Sequence, residues 1–397
     1  MAQKDQINIA LIGQGFMGRT HSNGWGQVSR FFKTPVKAVM HTVFGMPNED
    51  PAAMAARWGW QHSSNDWQAV VNSPEIDLVD IVTPNFMHAP PAKAAIAAGK
   101  AVSCEKPIAG TLAEAREMAE AAKKAKVKTF VWYNYRRVPA VALAYKLVKQ
   151  GAIGEIRHVR AKYLQDWADE NVPLVWRFDK KLSGSGAHGD LNAHIIDMTR
   201  FVTGAEITEI SGAIAETFIK ERKLMTGVAA GGIAAGIKSD KAAMGKVTVD
   251  DTVLFLARFN NGAVGSYEAA RQATGNQNRN GWEINGSKGA LKFDFEDMNY
   301  LEFYDATRPR EVQGWTKIMC THGGSHPYVE NWWPDAHILG YEHTFANQAF
   351  DILQVLAGKE PTVPIPDFQD AYQTQRVMEA ALICAQEKHA IKMSDVK

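Results

Sequence analysis

The stretch that decides the fold of this chain is INIALIGQGFMG, residues 7–18. Its first half is an apolar run that predicts a buried parallel strand, and its second half is a G-x-G-x-x-G sequence that leads into helix-forming residues. In that context Gly13 permits a tight turn, Gly15 lets the backbone approach a pyrophosphate, and Gly18 lets the helix pack closely on the strand. A glycine-rich turn without a ligand is the alternative. The residues predicted to contact a dinucleotide here are Gly13, Gly15, Phe16, Met17 and Gly18.

The following residues continue this alternation of strands and helices. Further strands are predicted at 36–40, 78–82, 101–103 and 129–132. Helices are predicted at 51–58, 66–71, 91–98 and 111–124. The sequence therefore predicts an α/β fold whose first domain, residues 1–137, is a Rossmann domain with a doubly wound parallel sheet.

The end of the second predicted strand bears on the choice of cofactor. An acidic residue usually holds the adenosine ribose there, but His41 follows the strand, and Glu49 and Asp50 come late enough to begin the next helix. The loop also contains no arginine for a 2′-phosphate. The sequence therefore favours NAD over NADP as the cofactor.

Length and composition limit the possible partners. The chain has 397 residues, which suggests two domains at about 100 to 200 residues each. Its net charge of +1 gives no electrostatic reason to expect nucleic acid or a membrane, so a small-molecule partner fits better. Three widely spaced cysteines argue against a disulfide framework and a thiolate metal site. With no apolar run near the roughly 20 residues of a membrane span and no room for a signal peptide, we expect a cytoplasmic protein.

The character of the sequence changes near residue 151. Strands are predicted at 157–164, 207–218, 252–259, 263–269, 282–284 and 290–295, with hairpin turns at 260–262 and 285–289. These strands predict a second α+β domain, residues 138–397, with a large, open, mostly antiparallel sheet. Its outer face needs a cover, for which a homodimer or homotetramer is the simplest arrangement. A loop is expected at 227–236, and helices near 343–357 and 368–388 are expected to return to the first domain.

The first candidate catalytic stretch is Cys104-Glu105-Lys106-Pro107. It follows a predicted strand at 101–103, and open α/β sheets bind their ligands at the carboxyl ends of their strands. Partial burial or a neighbouring cation would lower the pKa of Lys106 and allow it to donate a proton or hydrogen bond near neutrality. A solvated surface lysine before a turn proline is the alternative.

The second candidate stretch is SGSGAHGDLNAHIID at residues 183–197. Its glycines predict a flexible entry, and a helix that begins near Gly189 would place Asp190 and His194 on one face. Asp197 could tune the imidazole, which can act as a general base towards a hydroxyl. The alternatives are a capped helix with one buried histidine and a metal site, although no further metal ligand is evident.

Together these motifs resemble the glucose-fructose oxidoreductase, inositol dehydrogenase and MocA (Gfo/Idh/MocA) family. The resemblance is carried by G-x-G-x-x-G-x-x-H ending at His21, the Thr83-Pro84-Asn85 loop with His88, Glu105-Lys106-Pro107, and YNYRRVPA at 133–140. It implies that Lys106 is catalytic, with a peptide bond to proline that is often cis, and that Asp190 and His194 match the family's Asp-x-x-x-His helix. It also supports a homo-oligomer.

The second half resembles more closely the sugar dehydrogenases of the levoglucosan dehydrogenase type. The matching residues are YLQDW at 163–167, WRF at 176–178 and GSGA at 184–187. Aromatic rings could stack on a pyranose while Asp166 and Arg177 bond its hydroxyls, although Tyr163 and Trp176 could equally be core residues. His188 departs from the expected pattern and could either receive an anionic sugar group or cap the helix.

These observations predict an NAD-dependent oxidoreductase that transfers hydride between a ring hydroxyl of a pyranose-type sugar, such as that on C3, and nicotinamide. A redox glycosidase that recycles its NAD and a non-enzymatic dinucleotide-binding regulator are the alternatives. The predicted catalytic residues are Lys106, Asp190 and His194. Further cofactor contacts are predicted at Thr83, Asn85, His88, Glu105 and Lys106, with His88 otherwise a helix cap. Substrate contacts are predicted at Tyr163, Asp166, Trp176, Arg177, His188 and Asp190, and no metal is expected.

Overall fold

A computed structural model describes residues 4–225 and 239–397. The chain forms two compact units. The N-terminal unit comprises Met1–Arg137, Glu330–Trp333 and Leu339–Tyr372, and the C-terminal unit comprises Val138–Val329, Pro334–Ile338 and Gln373–Lys397. The predicted loop at 227–236 lies outside the described residues.

The N-terminal unit is built on a six-stranded parallel sheet with the order β3-β2-β1-β4-β5-β6. This order, which reverses between β1 and β4, is that of dinucleotide-binding doubly wound folds and confirms the predicted fold class. The second strand runs to Phe44, four residues beyond its predicted end, and pairs with β1 along its length. The strands are β1 (Gln6–Ile12), β2 (Lys37–Phe44), β3 (His62–Ser64), β4 (Leu78–Ile81), β5 (Ala101–Cys104) and β6 (Thr129–Val131).

Side-chain caps set the start of three helices in this unit. Asp50 accepts a hydrogen bond from the backbone N–H of Ala53, Asp66 does the same for two residues of the next helix, and Thr111 does so for Glu114. These caps satisfy backbone donors that have no partner within the helix. The helices that follow the strands are α1 (Phe16–Phe31), α2 (Pro51–Trp58), α3 (Trp67–Asn72), α4 (Ala89–Ala97) and α5 (Leu112–Ala125).

The C-terminal unit contains a nine-stranded sheet with the order β16-β15-β14-β13-β7-β12-β11-β8-β17 and a separate β9–β10 hairpin. All neighbouring pairs in the large sheet are antiparallel except β7 and β12, which run parallel, so the predicted mostly antiparallel sheet is confirmed. The strands are β7 (Ile156–Leu164), β8 (Ile207–Glu216), β9 (Glu221–Met225), β10 (Ser239–Lys246), β11 (Thr252–Phe259), β12 (Val264–Ala270), β13 (Arg279–Gly286), β14 (Gly289–Asp294), β15 (Tyr300–Asp305), β16 (Trp315–Met319) and β17 (Ile391–Lys392).

The remaining helices complete the two units. In the C-terminal unit α6 and α8 pack on one face of the large sheet. In the N-terminal unit α9 packs against α1. Among the described residues, no helix is long and apolar enough to cross a membrane. The bounds are α6 (Pro139–Lys149), α7 (Lys180–Ser183), α8 (Ala193–Thr203), α9 (Tyr341–Leu356) and α10 (Phe368–Glu387).

The opposite face of the large sheet carries exposed apolar side chains. Residues alternate along β11, so Val253 and Phe255 are buried while Leu254 and Leu256 point outwards, with Leu256 56% exposed. Ile214 on β8 is exposed on the same face. Together with charged neighbours, these side chains line a concavity of about 900 Å³.

Two glycines of the first turn differ in what a side chain would meet. A Cβ at Gly18 would lie 2.6 Å from the carbonyl oxygen of Gly13, whereas a Cβ at Gly15 has no heavy atom within 4 Å. We expect Gly18→Ala to lower the free energy of unfolding by about 1–3 kcal/mol, because the helix must move off the turn. Gly15→Ala should cost less than about 1 kcal/mol. Thermal unfolding of both variants checks this, and equal melting temperatures would contradict it.

Candidate active site

The turn between β1 and α1 has the features of an anion-binding site. The first helical residue is Phe16, its N-cap Gly15 makes no side-chain capping bond, and the first turn of α1 has no acidic residue. Gly13 has a φ of +117°, in the region that favours glycine, and Gly18 packs on its carbonyl group. The backbone N–H groups at this helix end therefore fit the pyrophosphate of a dinucleotide.

The acidic residues of the loop after β2 accept hydrogen bonds from the loop itself and from the next helix. The Glu49 carboxylate accepts a hydrogen bond from the backbone N–H of Met46 at 2.8 Å, and Asp50 caps α2. The amide of Asn65 donates to the carbonyl groups of Gly45 and Met46 and so closes the loop, a role that the sequence did not reveal. The expectation that these late acidic residues serve the next helix is confirmed for Asp50.

His88 connects two loops of the N-terminal unit. It occupies the N-cap position of α4, but its side chain does not cap the helix, so that prediction was wrong. Its ring nitrogens instead lie 2.8 Å from the carbonyl oxygen of Thr83 and 3.0 Å from that of Pro107. Burial lowers the pKa of this imidazole. Since the ring is fully buried between these carbonyls, His88 supports the loop, while Thr83 and Asn85 remain partly exposed.

The Cys104-Glu105-Lys106-Pro107 stretch begins where β5 ends, as the sequence predicted. The peptide bond between Lys106 and Pro107 is cis, as the family resemblance implied. One carboxylate oxygen of Glu105 accepts the backbone N–H of Lys106 at 3.0 Å, and the other lies 3.0 Å from Nε2 of His21. Lys106 is partly exposed. Burial raises the pKa of the Cys104 thiol, so this cysteine is a neutral packing residue.

The entry to the second candidate stretch is closely packed against Asp250. A Cβ at Gly186 would lie 1.8 Å from the carbonyl oxygen of Asp250. The Asp250 carboxylate accepts the backbone N–H groups of Gly186 and His188 at 2.8 and 2.7 Å. A π-helical turn, His188–Asn192, follows, and the α-helix begins only at Ala193. Asp190 therefore lies in a wider turn than the predicted α-helix.

His188 has a structural role. It is fully buried, and its Nε2 lies 2.8 Å from the carbonyl oxygen of Met378. Its Nδ1 lies 2.8 Å from the side-chain amide of Asn192. Burial lowers the pKa of the ring. Both ring nitrogens face protein groups, which favours this role over the predicted contact with an anionic sugar group.

Asp190 is held by two arginines. Its Oδ2 accepts hydrogen bonds from Arg271 at 2.8 Å and Arg177 at 3.5 Å. The guanidinium of Arg177 also lies over the ring of Trp176, 4.6 Å from its centroid. Arg271 is almost fully buried and lies 5.4 Å from the ring of Trp167. These contacts fix the direction of the Asp190 carboxylate.

Arg271 was missed because it reaches Asp190, 81 residues away in the sequence, only through the packing of β12 against the turn that carries Asp190. β7 and β12 run parallel with Leu164 opposite Ala270, so the residues after each strand meet at the same edge of the sheet. The backbone N–H of Gln165 donates to Ala270, and that of Ala168 donates to Arg271. An arginine directly after a predicted strand was the available signal, but the packing of that strand against the turn could not be read from the sequence.

Tyr163 and His194 lie side by side, with ring centroids 5.9 Å apart. Tyr163 is 4% exposed, and its hydroxyl donates to Asn278 at 2.9 Å, which favours a packing role over stacking on a sugar. The same Asn278 oxygen accepts from Gln165, whose side chain in turn accepts from Trp167. Sequence reasoning also missed Asn278.

Asp166 has protein partners of its own. Its carboxylate accepts the backbone N–H of Gly275 at 3.1 Å and the side-chain amide of Gln277 at 3.2 Å. The carboxylate therefore orders the 275–277 loop. It remains partly exposed, as does Trp176.

Comparison with known proteins places the chain among oxidoreductases. Residues 7–133 match the family described as "Oxidoreductase family, NAD-binding Rossmann fold", and residues 141–292 match the GFO/IDH/MocA C-terminal domain. A levoglucosan dehydrogenase from Pseudarthrobacter phenanthrenivorans is 40% identical over 378 residues, 94% of this chain and 95% of that protein.

Solved structures agree over nearly the whole chain. An oxidoreductase domain protein from Kribbella flavida is 46% identical, with a TM-score of 0.91 and coverage of 98% of this chain and 99% of that one. A levoglucosan dehydrogenase in complex with NADH and levoglucosan is 38% identical, with a TM-score of 0.89 and the same coverage. The predicted resemblance is thereby confirmed, and this chain belongs to the Gfo/Idh/MocA family of oxidoreductases.

Proposed function

We propose that this protein is a sugar dehydrogenase that oxidises a ring hydroxyl of a pyranose-type sugar with NAD. The observation that carries the proposal is the similarity, over 98% of this chain, to a levoglucosan dehydrogenase whose structure holds NADH and levoglucosan. Residues 1–137 form the dinucleotide-binding domain in this proposal, and residues 138–397 form the substrate-binding and oligomerisation domain. The hydrogen-bond donors at the start of α1 support the first assignment.

The proposed catalytic residues are His194, Lys106 and Asp190. His194 takes the proton of the substrate hydroxyl, a task suited to an imidazole near neutral pH. Lys106 donates a hydrogen bond to the same oxygen and stabilises the negative charge that develops on it. Asp190, held in place by Arg271 and Arg177, orients the substrate and His194. When bound, NAD supplies the hydride acceptor.

The cofactor preference and the location follow from two further features. The loop after β2, residues 45–50, contains no arginine and commits Asp50 to a helix cap, so it offers no cation to a 2′-phosphate. The three cysteines, Cys104, Cys320 and Cys384, are free and buried, as suits a reducing compartment. We therefore propose NAD as the cofactor and the cytoplasm as the location.

A substrate screen tests the proposed function. Free pyranoses, anhydrosugars such as levoglucosan, and glycosides are each offered with NAD or NADP, and absorbance at the NADH band is followed beside product release. We expect NADH to accumulate with at least one pyranose or anhydrosugar, and more slowly with NADP. Release of free sugar from a glycoside without net NADH would instead identify a redox glycosidase. Binding of NADH without any turnover would favour a regulator.

The role of Lys106 can be separated from cofactor binding. We expect Lys106→Met to lose about 10²-fold or more in kcat, because the donor to the reacting oxygen is absent. Binding of NADH, followed by its fluorescence, should persist. Lys93→Met is the matched control, since Lys93 lies on α4 and pairs with Glu117 near the surface. Full activity of the Lys106 variant would remove Lys106 from the mechanism.

The open face of the large sheet supports a homodimer or homotetramer. We propose that a second copy covers Leu254, Leu256 and Ile214, which are all exposed in the single chain. Leu256→Glu should lower the molar mass measured by light scattering, because the charge would be buried in the interface. Ile338→Glu is the control, as Ile338 is exposed outside the sheet. A wild-type mass of one 43.8 kDa chain would contradict the proposal.

A further inference from the structure

Helix α1 places an imidazole between two carboxylates in the N-terminal unit. Nδ1 of His21 lies 2.9 Å from Oδ2 of Asp80, and Nε2 lies 3.0 Å from Oε1 of Glu105. The ring is fully buried, with the rings of Trp132 and Phe345 at centroid distances of 4.2 and 5.4 Å. Asp80 and Glu105 lie in β4 and directly after β5, so His21 connects the helix to two neighbouring strands.

Only a protonated ring satisfies both contacts. A neutral imidazole has one N–H, so one of its nitrogens would direct a lone pair at a carboxylate oxygen, whereas the imidazolium donates to both. Burial by itself lowers the pKa of His21, but the charge of Asp80 and the hydrogen bonds to Asp80 and Glu105 raise it to about 9. His88 is equally buried and also faces two acceptors, but these are uncharged carbonyl oxygens, and burial lowers its pKa. The negative charge of the carboxylates therefore distinguishes His21 from His88.

Asp80 is a fixed anchor for this ring. Its Oδ1 accepts hydrogen bonds from Ser103 at 2.7 Å and Trp132 at 2.8 Å. Its Oδ2 accepts from Trp25 at 2.8 Å as well as from His21. Four donors on two oxygens leave this carboxylate little freedom to rotate. The position of His21 is therefore set by the centre of the sheet.

Glu105 connects His21 to Lys106. The Oε2 atom of Glu105 accepts the backbone N–H of Lys106 at 3.0 Å, while its Oε1 faces His21. The backbone N–H of Glu105 donates to Ile81 at the end of β4. The Glu105 side chain therefore links the buried imidazole to the backbone of Lys106.

We propose that His21, as an imidazolium, is a positioning residue for Lys106. It holds the Glu105 carboxylate towards the Asp80 anchor, and that carboxylate fixes the backbone turn that carries the lysine. His21 itself does not touch reacting atoms in this assignment. The catalytic consequence rests on the role of Lys106 in the proposed function, whereas the charge state of His21 does not.

The groups around the ring limit what can titrate with it. Among the described residues, the facing charges are Asp80 from β4 and Glu105 after β5. The other neighbours are the aromatic rings of Trp25 on α1, Trp132 directly after β6 and Phe345 on α9. Cys104 and His88 interact electrostatically with Glu105, but burial raises the pKa of the thiol and lowers that of the imidazole. A loss of charge near pH 9 is therefore assigned to His21.

Nitrogen NMR of the full-length protein, labelled with ¹⁵N-histidine, tests the charge state without any substrate. We expect His21 to show two protonated ring nitrogens at about pH 8 and to lose one near pH 9. His41, whose pKa burial lowers, should be neutral at the same pH. His21→Gln and His41→Gln assign the two signals. If His21→Gln does not fold, Ser103→Ala identifies the His21 signal. This substitution removes a hydrogen-bond donor from Asp80, the partner of His21, and changes no charged residue. A neutral His21 at pH 8 would overturn the proposal.

Kinetics test the positioning role. His21→Gln should lower kcat by about 10- to 100-fold with little change in the KM for NAD, because Lys106 is displaced while the nucleotide turn is intact. The higher kcat of the wild type relative to His21→Gln should be present below pH 9 and should shrink above it, because the imidazolium is lost. In a Glu105→Gln background, His21→Gln should lower kcat little further. A merely structural role instead predicts that the two losses in kcat add, and that the ratio of wild-type to variant kcat does not depend on pH. Either of those results would overturn the positioning role, and His41→Gln is the matched control.

If no sugar is oxidised by the wild-type protein, the proposed function fails, but the NMR measurement still decides the charge state of His21. If sugar is oxidised and His21→Gln retains the wild-type kcat, the positioning role alone fails. The two proposals can thus be rejected separately.

Discussion

A single buried carboxylate, that of Asp80, is hydrogen-bonded to three segments of the N-terminal unit. Burial of a charge is costly unless donors replace water, and here the donors come from α1, from β5 and from Trp132, directly after β6. The Asp80 carboxylate keeps all its hydrogen bonds only if each of these segments stays in position. The same contacts lead through His21 to Glu105 and so connect the core of the sheet to the turn at its edge.

The C-terminal unit fixes its carboxylate in a different way. Asp190 stands in a π-helical turn and is held by guanidinium groups, one of which follows the parallel strand β12. Two backbone N–H groups at the start of that turn donate hydrogen bonds to the Asp250 carboxylate. In both units the polar side chains are thus positioned by the pairing of the strands and by buried hydrogen bonds. Such placement orients charged groups before a ligand arrives.

Local sequence patterns predicted the elements better than their contacts. The glycine spacing, the apolar runs and the turn residues identified the parallel sheet and most strands of the second sheet, because these signals lie within a few residues of one another. β2 was predicted too short because Thr42, Val43 and Phe44 follow a histidine that interrupts the apolar run. Arg271 could not be paired with Asp190, 81 residues away, because that contact depends on the packing of β12 against the π-helical turn.

The burial of Cys104 has a consequence for chemical durability. This thiol directly precedes Glu105 and Lys106, yet it is fully buried, and its pKa is raised by burial and by the neighbouring carboxylates. Peroxides and alkylating agents react with exposed thiolates, and this sulfur is neither exposed nor ionised. The chain can therefore carry a cysteine beside its proposed catalytic lysine without making that turn a target of oxidative damage.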